Sequence, residues 1–198
     1  MEILDVMVDV ETLSLRSDAA IIQIAAVPFY MDKSHAKVFS DFSVDVNPSS
    51  EAMYGFSFDA STIEWWSKNE PANEYFKEDH KAYSIKKALT DFTAQLTLWK
   101  DVASADELMI WCQCTDFDIT VLRNAYRKVF GSEKDIPWNY RNVRDARTYF
   151  LEAARLFASD VENPYELIKT DDTQHLAIND CKWSIEAVQW AYDKYNNN

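Results

Sequence analysis

The sequence predicts an α/β domain with a mixed central β-sheet of about five strands flanked by helices. Three observations predict this fold class. Three apolar runs follow one another within residues 3–46, a fourth short apolar run begins at residue 107, and amphipathic helix patterns occupy most of the remaining chain. Strands and helices in such an order are typical of α/β architecture. With 198 residues the chain can bury a substantial core, and we interpret residues 1–198 as a single domain.

The first three predicted strands cover residues 3–11, 20–30 and 38–46. Residues 3–11 are rich in β-branched side chains, and residues 20–30 form a nearly continuous apolar run. Residues 38–46 alternate between two faces, which indicates a half-exposed strand. Because a short polar turn joins the first two runs, we expect an antiparallel meander.

Helix patterns and one further strand come next. The segment STIEWWSKN predicts a short helix capped by Ser61, and Ser84 is the expected cap of a longer helix. That longer helix has a stripe at three- and four-residue steps, formed by Ile85, Leu89, Phe92, Leu96 and Trp99. ELMIWC, residues 107–112, is predicted as a buried strand. DFDITVLRNAYRKVF then predicts an amphipathic helix that ends at Gly131.

The last third of the chain is mostly helical in pattern. A short strand is expected near Tyr140, and a helix over residues 146–158 has Asp145 as its expected cap. The final helix is predicted over residues 177–195.

The charge balance limits the partners. The chain carries 20 basic and 33 acidic residues, a net charge of −13. A sequence-independent grip on long duplex DNA needs a basic face, so this composition argues against it. A short single-stranded end is not excluded, since bound divalent cations can supply positive charge locally.

Several classes of site are also excluded by composition. Only two glycines occur, which excludes glycine-rich phosphate loops. The three cysteines make an odd count without a C-x-x-C pair, so we expect reduced thiols, no zinc site and a cytoplasmic protein. No apolar run has the length of a membrane helix, and the acidic N-terminus does not resemble a signal peptide.

Two acids occupy the end of the first predicted strand. Asp9 and Glu11 are two residues apart, so both side chains point to the same side. They lie at the carboxyl end of the strand, where α/β sheets usually bind ligands. The alternative is that they simply begin a loop, because D-x-E is common by chance.

Further candidates lie later in the chain. Asp118 follows the strand ELMIWC and begins a helix, where an acid is also favourable as a cap or dipole partner. His175 and Asp180 occur in HLAIND at the start of the final helix, and a lone histidine there is more often structural than catalytic. If the fourth strand is parallel to the first, Asp118 reaches the same sheet edge as Asp9 and Glu11.

Together and in this order, the motifs resemble the DEDDh 3′–5′ exonucleases of the RNase H-like superfamily, which include proofreading subunits, RNase T and oligoribonuclease. The shared pattern is D-x-E after a strand, F-D after a later strand and H-x-A-x-x-D near the C-terminus. The resemblance spans the chain from Asp9 to the last helix. STIEWW, the WC before the second motif, and RDART look like the branch of phage exonuclease DexA and the bacterial exoribonuclease RNase AS.

The resemblance implies an RNase H-like fold and a metal-dependent enzyme that releases 5′-mononucleotides from single-stranded 3′ ends of DNA or RNA. It implies that two Mg²⁺ or Mn²⁺ ions are bound by Asp9, Glu11, Asp118 and Asp180, with His175 as general base. Crowded carboxylates repel one another and need cations to stay ionised, and their hard oxygens suit these two metals. A pair of such ions can hold the attacking water and the leaving oxygen.

The substrate contacts follow from the resemblance and from local chemistry. Thr12 and Leu13 would contact the terminal nucleotide, although ETLS lacks the glycine usual in the family. Trp65 and Trp66 are both candidate stacking surfaces for a base, with core packing as the alternative. Adjacent helical side chains point in different directions, so we expect at most one of the pair to be fully buried, and Trp66 is assigned to substrate.

Arg144 and Arg147 flank Asp145 at a helix start that disfavours positive charge, so we expect anionic partners for both. Arg144 is assigned to a phosphate, and an acidic neighbour explains these arginines at least as well.

Other functions stay open at this point. Within the enzyme class, an oligoribonuclease-like hydrolase of short RNA is an alternative. A different class is a catalytically inactive, acidic binding protein that mimics nucleic acid, which the net charge motivates. Discrimination between DNA and RNA depends on contacts to the 2′-hydroxyl, which the sequence does not locate. The resemblance also implies a possible homodimer.

Overall fold

The structure, a computed structural model, describes residues 2–32, 39–68, 80–168 and 175–197. Five strands form one sheet in the order β3-β2-β1-β4-β5. Their bounds are β1 (Ile3–Thr12), β2 (Ile21–Phe29), β3 (Phe42–Asp45), β4 (Glu107–Cys112) and β5 (Val143–Asp145). β1, β4 and β5 are parallel, whereas β2 is antiparallel to β1 and β3. The predicted mixed sheet is confirmed.

Helices cover both faces of this sheet. They are α1 (Ala60–Lys68), α2 (Ile85–Val102), α3 (Thr120–Phe130), α4 (Ala146–Phe157) and α5 (Ala177–Asn197). One core includes residues of α2 and α3, and a second core on the opposite face includes residues of α4 and α5. Within the described ranges, no helix is both long and apolar enough to cross a membrane.

The central strand β1 contributes to both cores, because successive side chains of a strand point to opposite faces. The core of α2 and α3 receives its even-numbered residues Leu4, Val6, Val8 and Val10. Met7 enters the core of α4 and α5. The odd-numbered face of β1 is therefore the one that α4 and α5 cover, and its last residues are Asp9 and Glu11.

Two predicted caps and one predicted helix end are confirmed. The Ser84 side chain accepts a hydrogen bond from the backbone N–H of Lys87 at the start of α2. Asp145 accepts from the backbone N–H of Thr148 in the same way. Gly131 ends α3 with a φ of 74°, in the left-handed region that glycine adopts at little cost.

Besides shifts of one or two residues at the ends of other elements, three predicted element starts differ from the structure. Ser61 lies inside α1 rather than capping it, because the helix already begins at Ala60. The third strand begins at Phe42 instead of residue 38, which lies outside the described residues. The helix expected after β4 begins as a π-helical turn, Thr115–Ile119, before the regular α-helix.

The carboxyl ends of β1, β4 and β5 meet at one edge of the sheet, since these three strands are parallel. The segment that enters α5 reaches the same edge, because the backbone N–H of Ala177 donates to the Gln23 side chain of β2. Elements from four distant parts of the chain therefore converge at this edge.

Candidate active site

The end of β1 presents two carboxylates on the α5 side of the sheet. Asp9 pairs with Ala25 and Glu11 with Gln23 in the antiparallel ladder with β2. The ladder shifts register between Glu11 and Thr12, so regular pairing ends directly after the second acid. Both acids thus lie within the regularly paired part of β1, and the chain leaves the regular ladder directly after Glu11.

Three carboxylates lie close enough to bind one cation. One oxygen each from Asp9, Glu11 and Asp180 lie within 4.8 Å of one another. Burial raises the pKa of Asp9 well above its ordinary value, and the charges of the neighbouring carboxylates raise it further. Burial, then the charge of Asp180, raises the pKa of Glu11 to about 8. The folded chain therefore concentrates negative charge here at a cost in free energy.

The fourth acid, Asp118, faces this cluster from the π-helical turn. Its charge contributes to the raised pKa values of both Asp9 and Glu11. Burial raises the pKa of Asp118 itself to about 6, opposed by a hydrogen bond from the backbone N–H of Cys114 and by the charge of Arg147. That N–H lies 3.1 Å from Asp118 Oδ2. The structure brings together the four acids that the sequence motifs selected.

This donor set fits a divalent cation bound by oxygen. The four side chains offer only carboxylate oxygens, which suit Mg²⁺ or Mn²⁺ rather than Zn²⁺. Their pKa values are all raised, so positive charge among them would relieve the repulsion. The residues present therefore fit the cations that the sequence motifs imply.

Asp145 holds the turn that carries Asp118. Its Oδ1 accepts from the backbone N–H of Thr148 at 2.8 Å and so caps α4. Its Oδ2 accepts from the backbone N–H of Thr115, the first residue of the turn, at 3.1 Å. One carboxylate at the end of β5 thereby fixes both the start of α4 and the segment that orients Asp118.

His175 lies beside the cluster in an unusual backbone conformation. Its φ is 64°, a left-handed value that is uncommon for a residue with a side chain. Its backbone N–H donates to Asp180 Oδ2 at 3.2 Å. The imidazole is exposed, and its centroid lies 4.9 Å from the ring of Trp65 in an edge-on arrangement. The predicted base is thus near the cluster and open to solvent.

A cleft of about 430 Å³ adjoins the acids. Its lining consists of Val10, Glu11, Thr12, Leu15, Ser61, Thr62, Trp65, Trp66 and Phe117. Glu11 belongs to both the cleft and the carboxylate cluster. A molecule in the cleft would therefore contact a side chain of the cluster.

The two adjacent tryptophans of this cleft, Trp65 and Trp66, differ in how far they are exposed. Trp65 is 41% exposed, whereas Trp66 is 3% exposed. The Trp66 indole N–H donates to the backbone carbonyl of Thr12 at 2.8 Å, which attaches α1 to the end of β1. A base has little room to stack on a side chain this buried. Of the two candidate tryptophans, Trp66 is therefore the buried one and Trp65 the exposed one, which the sequence could not decide because the phase of the helix was not known.

Leu13 is also more buried than its predicted substrate contact requires. It is 2% exposed, while Leu15 is 81% exposed and lines the cleft. The backbone of Leu13 donates to the carbonyl of Ala20 and accepts from the N–H of Asp59. Thr12 lines the cleft as predicted for a substrate contact, but its hydroxyl donates to a backbone carbonyl two residues later. Leu15 carried no periodic signal that would have found it.

Arg144 and Arg147 flank Asp145, and they differ in their relation to the four acids. Arg144 is exposed and its guanidinium donates to backbone carbonyls of β5 and of the turn before it. Its charge opposes the burial-driven rise in the pKa of Asp5, away from the four acids. Arg147, the second arginine of this helix start, is the one whose charge acts on Asp118.

Comparison with known proteins agrees with this geometry. Residues 4–192 match the family described as the 3′–5′ exoribonuclease Rv2179c-like domain. The fold is similar to exonuclease I from Methylocaldum szegediense, with a TM-score of 0.67, 14% identity, and coverage of 98% of this chain and 43% of that protein. The chain thus spans less than half of that relative. No curated protein sequence matches the chain.

Two further solved structures are similar. Cell-death related nuclease 4 (CRN-4) has a TM-score of 0.62 and 14% identity, with coverage of 94% of this chain and 62% of that protein. Pop2p from S. pombe, in a form with Mg²⁺ and Mn²⁺ bound, has a TM-score of 0.58 and 13% identity, with coverage of 98% and 84%. The predicted RNase H-like fold is confirmed by these likenesses and by the topology of the sheet.

Proposed function

Since the chain belongs to the family of 3′–5′ exoribonuclease Rv2179c-like domains, we propose that it removes 5′-mononucleotides from the 3′ ends of single-stranded nucleic acid. The observation that carries this proposal is the convergence of Asp9, Glu11, Asp118 and Asp180 beside a cleft. These carboxylates, of which Asp118 is buried and the other three partly buried, raise the free energy of the fold, and divalent cations bound for phosphodiester hydrolysis would offset that cost. Membership in the narrower branch of phage DexA and RNase AS stays a prediction.

The four carboxylates would hold two divalent ions, Mg²⁺ or Mn²⁺. When bound, such ions supply positive charge for an attacking water and for the departing 3′ oxygen. His175 would accept the proton of that water, since its imidazole is exposed beside the cluster and histidine exchanges protons near neutral pH. The bond from its backbone N–H to Asp180 keeps the proposed base next to a proposed metal ligand.

The cleft would take the terminal nucleotide. Trp65 offers an exposed aromatic surface on which any base can stack, and Leu15 offers an apolar side chain in the same cleft. We propose these two residues as base contacts in place of Trp66 and Leu13. Thr12 keeps its proposed contact to the nucleotide, and a phosphate contact by Arg144 stays a proposal.

The substrate is proposed to be short, single-stranded RNA or an RNA end. The family description names an exoribonuclease, whereas exonuclease I from E. coli, another protein of similar fold, was solved in complex with a dT13 oligonucleotide, so DNA belongs in the test as well. The net charge of −13 favours substrates with few phosphates. A catalytically inactive acidic binder is disfavoured because all five residues of the motifs converge. Homodimerisation and a cytoplasmic location stay predictions.

The decisive experiment follows 5′-labelled RNA and DNA strands of one sequence with Mn²⁺, with EDTA, and with two variants. We expect stepwise shortening from the 3′ end and a loss of about 100-fold or more for Asp118→Ala, because a metal ligand is removed. Asp116→Ala is the matched control, since Asp116 is exposed two residues away and outside the carboxylate cluster. Wild-type protein that cleaves neither strand, or equal rates for Asp118→Ala and wild type, would contradict the proposal.

A further inference from the structure

A buried glutamine connects the sheet to the segment that carries two of the site residues. Gln23 is 6% exposed and pairs with Glu11 in the β1–β2 ladder, so both side chains lie on the same face of the sheet. Its Oε1 accepts from the backbone N–H of Ala177, the first residue of α5, at 2.7 Å. This bond lies two residues after His175 and three residues before Asp180.

The orientation of the Gln23 amide is fixed by a neighbour on β3. Its Nε2 donates to Asp45 Oδ1 at 2.7 Å. The other oxygen of Asp45 lies 3.0 Å from His80 Nε2. Because an ionised carboxylate only accepts hydrogen bonds, it engages the NH₂ end of the amide and leaves the carbonyl oxygen for Ala177. The hydrogen bonds that connect β3 to α5 therefore all run one way: the Ala177 N–H donates to Gln23, and the Gln23 amide donates to Asp45.

The segment between His175 and Asp180 needs such an anchor. The first N–H groups of a helix have no partner within the helix, and Ala177 is fully buried, so its N–H requires a side-chain acceptor. His175 adopts a left-handed backbone conformation, which persists only where its surroundings hold it. Asp180 holds it from one side through the His175 N–H, and Gln23 holds the chain two residues later.

We propose that Gln23 is a positioning residue that sets where His175 and Asp180 stand relative to β1. It touches neither substrate nor reacting atoms, and it acts through the first turn of α5. The part of this inference that concerns turnover rests on the proposed nuclease function. The part that concerns the anchoring of α5 is independent of it.

The chain contains a matched control for this role. Gln189, farther along α5, donates from Nε2 to the backbone carbonyl of Tyr30 at 2.7 Å. This is also a glutamine hydrogen bond that joins α5 to the region of β2, but at the end of the sheet away from the cluster. Gln23→Met and Gln189→Met each remove one such bond and keep a side chain of similar size.

The experiment measures kcat, KM and backbone hydrogen exchange for both variants of the full chain. For Gln23→Met we expect kcat at saturating Mn²⁺ to fall about 10–100-fold, as for other residues that orient metal-site groups, with KM little changed. Exchange should accelerate in the first turn of α5 and stay unchanged in α2. For Gln189→Met, kcat should stay within about twofold of wild type. Equal kcat losses for the two variants, or wild-type kcat and exchange in Gln23→Met, would overturn the inference.

A second variant covers the case in which Gln23→Met does not fold. Asp45→Ala leaves Gln23 in place but removes the acceptor that orients its amide, and Asp45 is only partly buried. It should shift kcat and first-turn exchange in the same direction by a smaller factor, and wild-type values of both would overturn the inference. Hydrogen exchange is read without substrate or metal. Faster first-turn exchange in a chain whose wild type cleaves nothing would therefore reject the nuclease proposal and keep the anchoring role.

Discussion

Two glutamates, the half-buried Glu11 and the fully buried Glu51, have a similarly raised pKa in different surroundings. Burial is the largest cause for both, and each pKa is about 8. Glu11 also faces Asp180 and Asp118, whose charges raise its pKa further. Glu51 lies between two short 3₁₀ turns and accepts one hydrogen bond, from the backbone N–H of Ile21 at 2.8 Å. The hydrogen bond lowers the pKa of Glu51, and burial outweighs it.

The difference teaches that a raised pKa alone indicates burial, whereas acids that also raise one another's pKa mark a place where a bound cation would relieve repulsion. Several carboxylates that face one another can all ionise if a cation lies among them. A solitary buried carboxyl has no acidic neighbours whose repulsion a cation would relieve, and it avoids the cost of a buried charge by keeping its proton. Glu51 Oε2 has no hydrogen-bond partner in the part of the chain that the structure describes, so charge on this group would be poorly compensated.

The largest expected effect separates the two glutamates by activity. Glu11→Gln should lower kcat by about 100-fold or more, because an amide is a weaker ligand for a divalent cation and lacks its charge. Glu51→Gln should leave kcat within about twofold, since Glu51 lies outside the cluster. Initial rates on a labelled single-stranded oligonucleotide with Mn²⁺ measure both. A comparable loss of rate in the two variants would break the distinction between them.

The next effect separates them by response to metal. Saturation with Mn²⁺ at about 100 times its dissociation constant should stabilise the wild type by about 2.7 kcal/mol. For a chain of this size, that corresponds to a rise of about 5–10 °C in melting temperature. Glu51→Gln should keep the full rise and Glu11→Gln should lose most of it. Thermal melts with Mn²⁺ and with EDTA check this. An undiminished rise in Glu11→Gln would mean that the cation binds elsewhere.

The parts of the fold and site that the sequence could predict depend on periodicity and chain order. Alternation along β1 placed Asp9 and Glu11 on one face, and the apolar run of β4 placed Asp118 at the same edge once the two strands proved parallel. The caps Ser84 and Asp145 follow from local hydrogen-bonding chemistry. These features need no knowledge of what packs against them.

The rest depends on contacts between distant segments. Which of two adjacent tryptophans faces the cleft is decided by the Trp66 hydrogen bond to Thr12, which fixes the phase of α1 on β1. Leu13 is buried and Leu15 exposed because the backbone of Leu13 bonds to residues at two other places in the chain. Glu51 lies in a loop that has no periodic pattern, so no local signal indicated its burial.

The smallest expected effect separates the two glutamates by the pH dependence of stability. The pKa of Glu51 rises from 4.5 to about 8 on folding, so the folded state binds its proton more tightly than the unfolded chain. Its contribution to stability is fully present below about pH 4.5 and is lost as the pH rises through about 8. Glu51→Gln removes this dependence, so the free energy of unfolding of wild type relative to the variant should fall by about 2 kcal/mol between pH 6.5 and pH 9. Urea denaturation across this range in EDTA measures the difference, and subtraction cancels the other titrating groups, including Glu11. A difference that stays constant with pH would show that Glu51 is ionised in the folded protein and that burial alone does not raise its pKa.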